Sequence, residues 1–331
     1  MRAEARRLRC SRFNQGLPLR NRFLKIFIAS WVLTCSAGAV RAAEAYIVVD
    51  ARTGYVIQAH EGRQKRQVGS LTKILTAAVV LDWSEHKQGD LNQMATVPAE
   101  AFADISENAV GFQPGDQVSL RDLLYAALVQ SDNVAAYTLA HAVGSQLGGA
   151  VVTGSKVTPV DIFVGQMNAL AKQLKMERSR FVNPHGSDYK ARPMPYSTAE
   201  DIARATRYAM NKASFRFYVS QRERQIAFSR GGRKMNYVLR NTNQLLGQNG
   251  VDGVKTGTTA RAGECLVLSS ERQPEVVQQG GMTKVFPRRL IVVVLGSPNR
   301  FGEGAQLLAG GWQRYDQWAA SGRTADPEKL L

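Results

Sequence analysis

Apolar positions change their spacing along the chain, and the changes mark out its elements. Short apolar runs at Ala45–Asp50 and Tyr55–Ala59 flank Ala51-Arg52-Thr53-Gly54, a pattern that predicts a β-hairpin. Polar residues 60–67 form a loop. From Leu71, the apolar residues Ile74, Leu75, Ala78 and Val79 recur at helical spacing. Val80 and Leu81 are apolar too, so this helix is expected to be buried on most sides. Leu120, Leu123, Leu124, Ala127 and Leu128 predict a second helix, and Asn133–Val143 a third. Phe163, Met167, Leu170 and Leu174 predict a fourth; Ser197–Ala209 is a fifth, opened by Ser197-Thr198-Ala199-Glu200 as a capping box. Strand-like runs return at Val251–Thr259, Glu264–Ser270 and Leu290–Leu295, before a last helix over about Ala305–Ala320. Strands at both ends around a helical middle predict a sheet assembled from both chain ends. Gly144–Ser155, rich in Gly, Ser and Val, reads as a flexible surface insertion. No linker separates two independent cores.

The N-terminus follows another pattern. A basic segment ends at Lys25, and an uncharged run of about 15 residues, Ile26–Val40, follows. Small residues then sit at signal-peptidase spacing, in Ala37-Gly38-Ala39 or Val40-Arg41-Ala42. The run is short of the ~20 residues that span a bilayer as a helix. Residues 1–42 therefore read as a secretory signal peptide, with an uncleaved anchor as the alternative, and 43–331 as one domain. The exported form should begin at Val40 or Ala43.

This division changes what the charge means. The net charge of +16 from 43 basic and 27 acidic residues invites a nucleic-acid reading. Half of the excess lies in residues 1–42, where Arg2, Arg6, Arg7, Arg9, Arg12, Arg20, Arg22, Lys25 and Arg41 face the single acid Glu4. The remainder is only mildly basic and calls for no nucleic acid. Cys10 and Cys35 leave with the signal, so no intrachain disulfide is open to Cys265. Cys265 lies in an apolar strand-like stretch and reads as a small buried hydrophobe.

Chemistry gathers at three places. Ser70-Leu71-Thr72-Lys73 opens the first long helix. Residues three apart share a helical face, so the Lys73 amine can reach the Ser70 hydroxyl. A serine needs a base to become a nucleophile, and an amine serves when burial and a second cation lower its pKa. Ser131-Asp132-Asn133 sits between two helices, and Lys255-Thr256-Gly257 lies on a strand-like run. Singly, these read as a helix cap, another cap and an exposed strand edge. Together and in this order they form the motif set of penicillin-binding proteins and class A β-lactamases.

The chain resembles the serine D-alanyl-D-alanine carboxypeptidases, the low-molecular-mass penicillin-binding proteins. Beyond the three motifs, Val49-Asp50-Ala51-Arg52-Thr53-Gly54 looks like that family's opening hairpin and Phe181-Val182-Asn183-Pro184-His185-Gly186 like its N-P-H-G loop. Asn241–Leu246, Val251–Gly257 and Arg300-Phe301-Gly302-Glu303 are similar to its later segments, so the likeness spans about residues 45–315. Val68-Gly69 replaces the Pro-Ala often found before the serine, Ser187 stands where Leu is usual, and the region 144–159 is longer. The resemblance implies an α+β, β-lactamase/transpeptidase-like fold: an antiparallel sheet with a helical subdomain. On this reading, the family's separate C-terminal β domain and amphipathic anchor helix are not expected after the last helix.

The resemblance also implies roles. Ser70 would attack the carbonyl of a terminal D-Ala-D-Ala bond in a peptidoglycan stem peptide, with Lys73 as general base. Ser131 would relay a proton to the leaving amine, and Asn133 would hold the substrate amide. Lys255 and Thr256 would receive the terminal carboxylate, with Arg300 as a further candidate. Lys255 would also help keep Lys73 neutral. The backbone N–H groups of Ser70 and Thr258 would form the oxyanion hole. β-Lactams would be covalent inhibitors, and the site would lie on the exported, periplasmic or wall side, soluble or peripherally membrane-associated.

Other readings fare worse. The four histidines, His60, His86, His141 and His185, lack ligand spacing, so no metal or other cofactor is expected. No G-x-S-x-G surrounds Ser70. A class A β-lactamase would need a deacylating Glu followed four residues later by Asn; Glu177 is followed by Phe181 and Glu200 by Arg204. A D,D-endopeptidase acting on cross-links is the enzymatic runner-up. A non-catalytic peptidoglycan-binding module has no need of the Ser70 and Lys73 pair.

Overall fold

The alternating strands sort their side chains to two faces of one sheet, and each face has its own cover. The structure, a computed structural model, describes residues 42–103, 107–148, 157–324 and 326–331. The signal-peptide reading of residues 1–42 lies outside them except for Ala42. Strands β1 (Ala45–Asp50) and β2 (Val56–His60) form the opening hairpin. Its turn is fixed by Asp50, whose Oδ2 accepts from Thr53 N at 2.8 Å and Thr53 Oγ1 at 2.5 Å.

A single 3₁₀ turn, Gly69–Thr72, leads into α1 (Lys73–His86). This helix is buried on almost every side, as its unbroken apolar sequence implies. Two short strands, β3 (Met94–Thr96) and β4 (Gln117–Ser119), precede α2 (Leu120–Val129) and α3 (Asn133–Leu147). Then come α4 (Pro159–Gln173), α5 (Ala199–Met210) and α6 (Ala213–Val219). A hairpin of β5 (Glu223–Arg230) and β6 (Arg233–Arg240) follows. The chain closes with β7 (Val251–Thr259), β8 (Gly263–Gln279), β9 (Met282–Ser297) and α7 (Arg300–Ala320).

The five-stranded sheet has the order β2-β1-β9-β8-β7, antiparallel throughout, and joins both chain ends as expected. Along β9, Leu290, Val292 and Val294 pack toward Leu308, Trp312 and Tyr315 of α7. The alternate residues Ile291, Val293 and Leu295 join the main core with α1, α2, α3 and α5. Period-two alternation with both faces apolar is what a sheet covered on two sides requires.

The structure shifts several expected boundaries. The fifth helix is capped by Thr198, whose side chain accepts from Asp201 N, so Ser197 is not the cap. Gly144 and Leu147 belong to α3 and not to a surface insertion; a Cβ on Gly144 would sit 1.9 Å from Pro159 O, so glycine lets α3 and α4 touch backbone to backbone. Residues 149–155 of that insertion lie outside the described residues. The last helix starts at Arg300, five residues before the expected position, capped by Asn299 accepting from Gly302 N. The second sheet, β3-β4-β5-β6, was not read from the sequence. No helix among the described residues is long and apolar enough to cross a membrane.

Candidate active site

Ser70 is presented by a tight turn held from two sides. Gly69 adopts φ +53°, a conformation that favours glycine, and starts the 3₁₀ turn that carries Ser70. Two other glycines let neighbouring backbone close on this turn. A Cβ on Gly257 of β7 would lie 2.8 Å from Val68 O and 3.1 Å from Ser70 N. A Cβ on Gly186, itself at φ +86°, would lie 2.0 Å from Gly69 O. The loop bearing Gly186 is braced by Asn183, which accepts from Gly186 N at 2.7 Å and donates to Ser187 O at 2.8 Å.

Lys73, the first residue of α1, is fully buried, and its Nζ has three oxygen neighbours. Asn133 Oδ1 lies at 2.6 Å, the His185 carbonyl at 3.0 Å and Ser70 Oγ at 2.8 Å. The first two can only accept. A neutral amine fills this arrangement by donating its two N–H bonds to the two carbonyl oxygens and turning its lone pair to the Ser70 hydroxyl. Burial makes that state accessible by lowering the Lys73 pKa to about 7, against the opposing pull of Asp132 and Glu107. Burial is thus the main cause of the depression.

Asn133 is placed by the cap of α3. Asp132 accepts from Ala135 N at 2.7 Å and, through its other oxygen, from Val110 N at 2.9 Å. Ser131, one residue earlier, is a non-glycine residue at φ +67° between α2 and α3. Such a conformation costs of order 1–3 kcal/mol and persists where surrounding structure imposes it.

Lys255 is 1% exposed on β7 and donates to Thr256 O at 3.0 Å. Its pKa is lowered, first by burial and then by the charges of Lys73 and Arg300. Thr256 Oγ1 shares a hydrogen bond of 2.6 Å with Thr242 Oγ1. Arg300 joins the same strand: its Nη1 donates to Gly257 O at 3.1 Å and Thr258 Oγ1 at 2.6 Å. The three motifs, more than 180 residues apart in sequence at their extremes, therefore meet.

A cleft of about 600 Å³ opens at this meeting point. Ser70, Asn133 and Thr258 line it, together with Glu107, Asp188 and Arg261. The last three were not singled out in the sequence. Asp188 accepts from Thr259 Oγ1 at 2.6 Å and is nearly buried, which ties the loop after Gly186 to β7. His185 contributes through its backbone: its carbonyl holds Lys73, while its ring Nδ1 accepts from Ser187 N at 3.2 Å. Burial, then Lys73, holds the imidazole pKa down at about 3, so it stays neutral.

Cys265 is buried, and burial raises its thiol pKa to about 11. Glu200 is paired with Arg204 at 2.9 Å, and Glu177 is exposed. Asp82, Glu85 and His86 cluster on α1 within reach of one another. The place of a cation there is taken by Lys212 Nζ, 2.7 Å from Asp82 and 2.6 Å from Glu85.

Residues 33–297 match the D-alanyl-D-alanine carboxypeptidase family. The chain belongs to that family of serine peptidases. It is 33% identical over 284 residues to the D-alanyl-D-alanine carboxypeptidase DacC of Escherichia coli, covering 83% of this chain and 62% of the relative. The chain thus spans less than two thirds of that relative's length. A D-alanyl-D-alanine endopeptidase of Pseudomonas aeruginosa is 30% identical over 226 residues, 67% of this chain and 65% of the relative. Among solved structures, the Streptomyces K15 DD-transpeptidase superposes with a TM-score of 0.67 at 27% identity, covering 82% of this chain and 97% of its own. Penicillin-binding protein D2 of Listeria monocytogenes, in an ampicillin-bound form, gives 0.62 at 26%, covering 82% and 97%. The antiparallel sheet with its helical subdomain is the fold this D-alanyl-D-alanine carboxypeptidase family member shares with both.

Proposed function

We propose that the protein is an exported serine D,D-carboxypeptidase that removes the terminal D-Ala of peptidoglycan stem peptides through an acyl-enzyme on Ser70. The observation that carries this reading is the Lys73 amine, buried, depressed to about pKa 7 and 2.8 Å from the Ser70 hydroxyl. Lys73 takes the hydroxyl proton as Ser70 attacks the scissile carbonyl. The backbone N–H groups of Ser70 and Thr258 receive the oxyanion. The close approach of β7 to the nucleophile turn supports that pairing, since a Cβ on Gly69 would lie 3.3 Å from Thr258 N.

Ser131 passes the proton to the leaving D-Ala amine, and Asn133 holds the substrate amide beside the Lys73 amine. Lys255, Thr256 and Arg300 gather the terminal carboxylate. Two basic side chains, Lys255 on β7 and Arg300 reaching that strand from α7, suit an anion next to the scissile bond. A bound carboxylate also favours the charged form of Lys255, which burial otherwise disfavours. Water then cleaves the ester and releases the shortened peptide. β-Lactams enter the same cleft and stall at the ester.

Product analysis tests the reading. Purified protein is given a D-Ala-D-Ala pentapeptide and a cross-linked muropeptide dimer. Release of one D-Ala from the pentapeptide, with the dimer intact, is the expected result. Cleavage of the dimer alone would make the enzyme an endopeptidase, and no reaction with either would overturn the peptidase reading.

A further inference from the structure

Glu303, in the first turn of α7, reaches across the molecule to the start of β1. Its Oε1 accepts from the backbone N of Ala43 at 3.0 Å, and its Oε2 accepts from Ser297 Oγ at 2.6 Å. Ala43 is 5% exposed, whereas Ala42 beside it is exposed. Among the described residues, no lysine or arginine forms an ion pair with Glu303. A half-buried carboxylate is therefore served by two neutral donors, although a cationic donor makes the stronger hydrogen bond.

The nitrogen at that position becomes cationic if the chain is cut before it. Val40-Arg41-Ala42 places small or β-branched residues three and one before Ala43, the spacing a signal peptidase reads. Hydrolysis adds water across the Ala42–Ala43 peptide bond. The hydroxyl stays on the Ala42 carbonyl carbon as a carboxylate, and the nitrogen leaves with Ala43 and takes up protons to become an ammonium. An α-amino group has a pKa of about 8, so it is charged at neutral pH.

We propose that the export machinery's signal peptidase cuts between Ala42 and Ala43, and that the new α-ammonium of Ala43 forms an ion pair with Glu303 that locks the folded, mature protein. The cut falls on the translocating chain before folding, so the burial of Ala43 in the fold does not oppose it. The other cut, after Ala39, would leave Val40-Arg41-Ala42 attached and the Ala43 nitrogen an uncharged amide.

The lock is connected to the cleft. Ser297 Oγ, held by Glu303, accepts from Asn299 N at 2.9 Å. Asn299 caps α7, and the next residue, Arg300, bonds Gly257 O and Thr258 Oγ1. The ammonium of the processed end thereby braces the segment that carries Arg300. A cavity of about 290 Å³ beside Ala42, Ala43 and Glu303 leaves room for water around the charged end.

The full chain, expressed with its own leader in an exporting bacterium, tests the proposal. N-terminal sequencing of the exported protein is expected to begin Ala43-Glu44-Ala45-Tyr46. A start at Val40, or an intact leader, would overturn it. The wild type and a Glu303→Gln variant, checked for fold by circular dichroism, are then labelled with a limiting amine reagent near pH 7. A carboxylate partner raises an amine's pKa by about one unit, so the Ala43 amine should react about tenfold faster in the variant. Equal rates would overturn the ion pair. Independently of any variant, N-terminal acetylation of the wild type should lower its Tm by about 2 °C. An unchanged Tm would contradict the lock.

Discussion

Replacing Glu107 by Gln should move the pH profile of Ser70 acylation toward acid. The Lys73 amine acts as base only when neutral, and its pKa of about 7 sets the rising limb of the profile. By proton equilibrium, about one tenth of it is neutral at pH 6 and about nine tenths at pH 8, so acylation should rise about tenfold between them. An ordinary lysine at 10.5 would offer roughly one part in three thousand at pH 7. Glu107 lines the cleft and stabilises the ammonium forms of both Lys73 and Lys255.

Removing its charge therefore lowers both pKa values, and the acid and alkaline limbs shift in the same direction. A single exposed charge acting through a partly aqueous path is worth a few tenths of a pH unit. A displacement of about half a unit at Lys73 would make acylation at pH 6 about two- to threefold faster, and the gain from Lys73 would vanish by pH 8. The assay is the second-order rate constant with a fluorescent penicillin, by stopped flow from pH 5.5 to 8.5 at fixed ionic strength. A wild-type rate that is flat from pH 6 to 8 would refute Lys73 as the base. A midpoint that moves upward in Glu107→Gln would refute the electrostatic reasoning.

Lys255→Ala should slow acylation at pH 7 by roughly ten- to a hundredfold, the worth of one charge-assisted hydrogen bond felt in the transition state. Lys255→Arg keeps the charge but not the shape, and should fall between the two; equal rates in all three would make Lys255 a structural strand residue. Gly186→Ala should lower the Tm by roughly 5–10 °C, because a Cβ would meet Gly69 O at 2.0 Å on a φ +86° backbone. A melting curve like that of wild type would mean the 183–187 loop is free to move away from the nucleophile turn.

The longer helices and the inner part of the five-stranded sheet were legible because their apolar spacing is long and regular, whereas the seven-residue α6 was not read. In β9 the run Leu290–Leu295 is apolar at every position, which identifies a strand buried on two faces. The second sheet was missed because β6 is mostly exposed and β3 and β4 are three residues each. A usable signal was present: Ile226 and Phe228 lie two apart between Gln225 and Ser229, and Gly231-Gly232 joins this run to Met235, Tyr237 and Leu239 at the same spacing. The outer halves of β8 and β9, residues 271–289, extend past their partners β1 and β7 as a two-stranded ribbon whose polar sequence hides it.

Ser70, Lys73, Asn133 and Lys255 were legible as candidates through their spacing and order, and the structure brings Lys73 within hydrogen-bond reach of Ser70 and Asn133. Glu107 and Asp188 were not legible, because each stands alone in sequence and joins the cleft only through folding. The part of His185 could not be read from its side chain, since what holds Lys73 is its carbonyl. The cause assigned to the Lys73 pKa also changes. The sequence argument gave a share to the Lys255 charge, whereas burial is the largest cause at Lys73 and Lys255 is itself depressed.

Mass spectrometry after exposure to benzylpenicillin tests most directly whether Ser70 is the nucleophile of a penicillin-binding D,D-peptidase. Folded, exported protein should gain the mass of one intact drug molecule. Tryptic cleavage after Arg66 and Lys73 should place that mass on the peptide Gln67–Lys73, and fragmentation should assign it to Ser70. No adduct on folded protein, or an adduct on any other residue, would contradict the account.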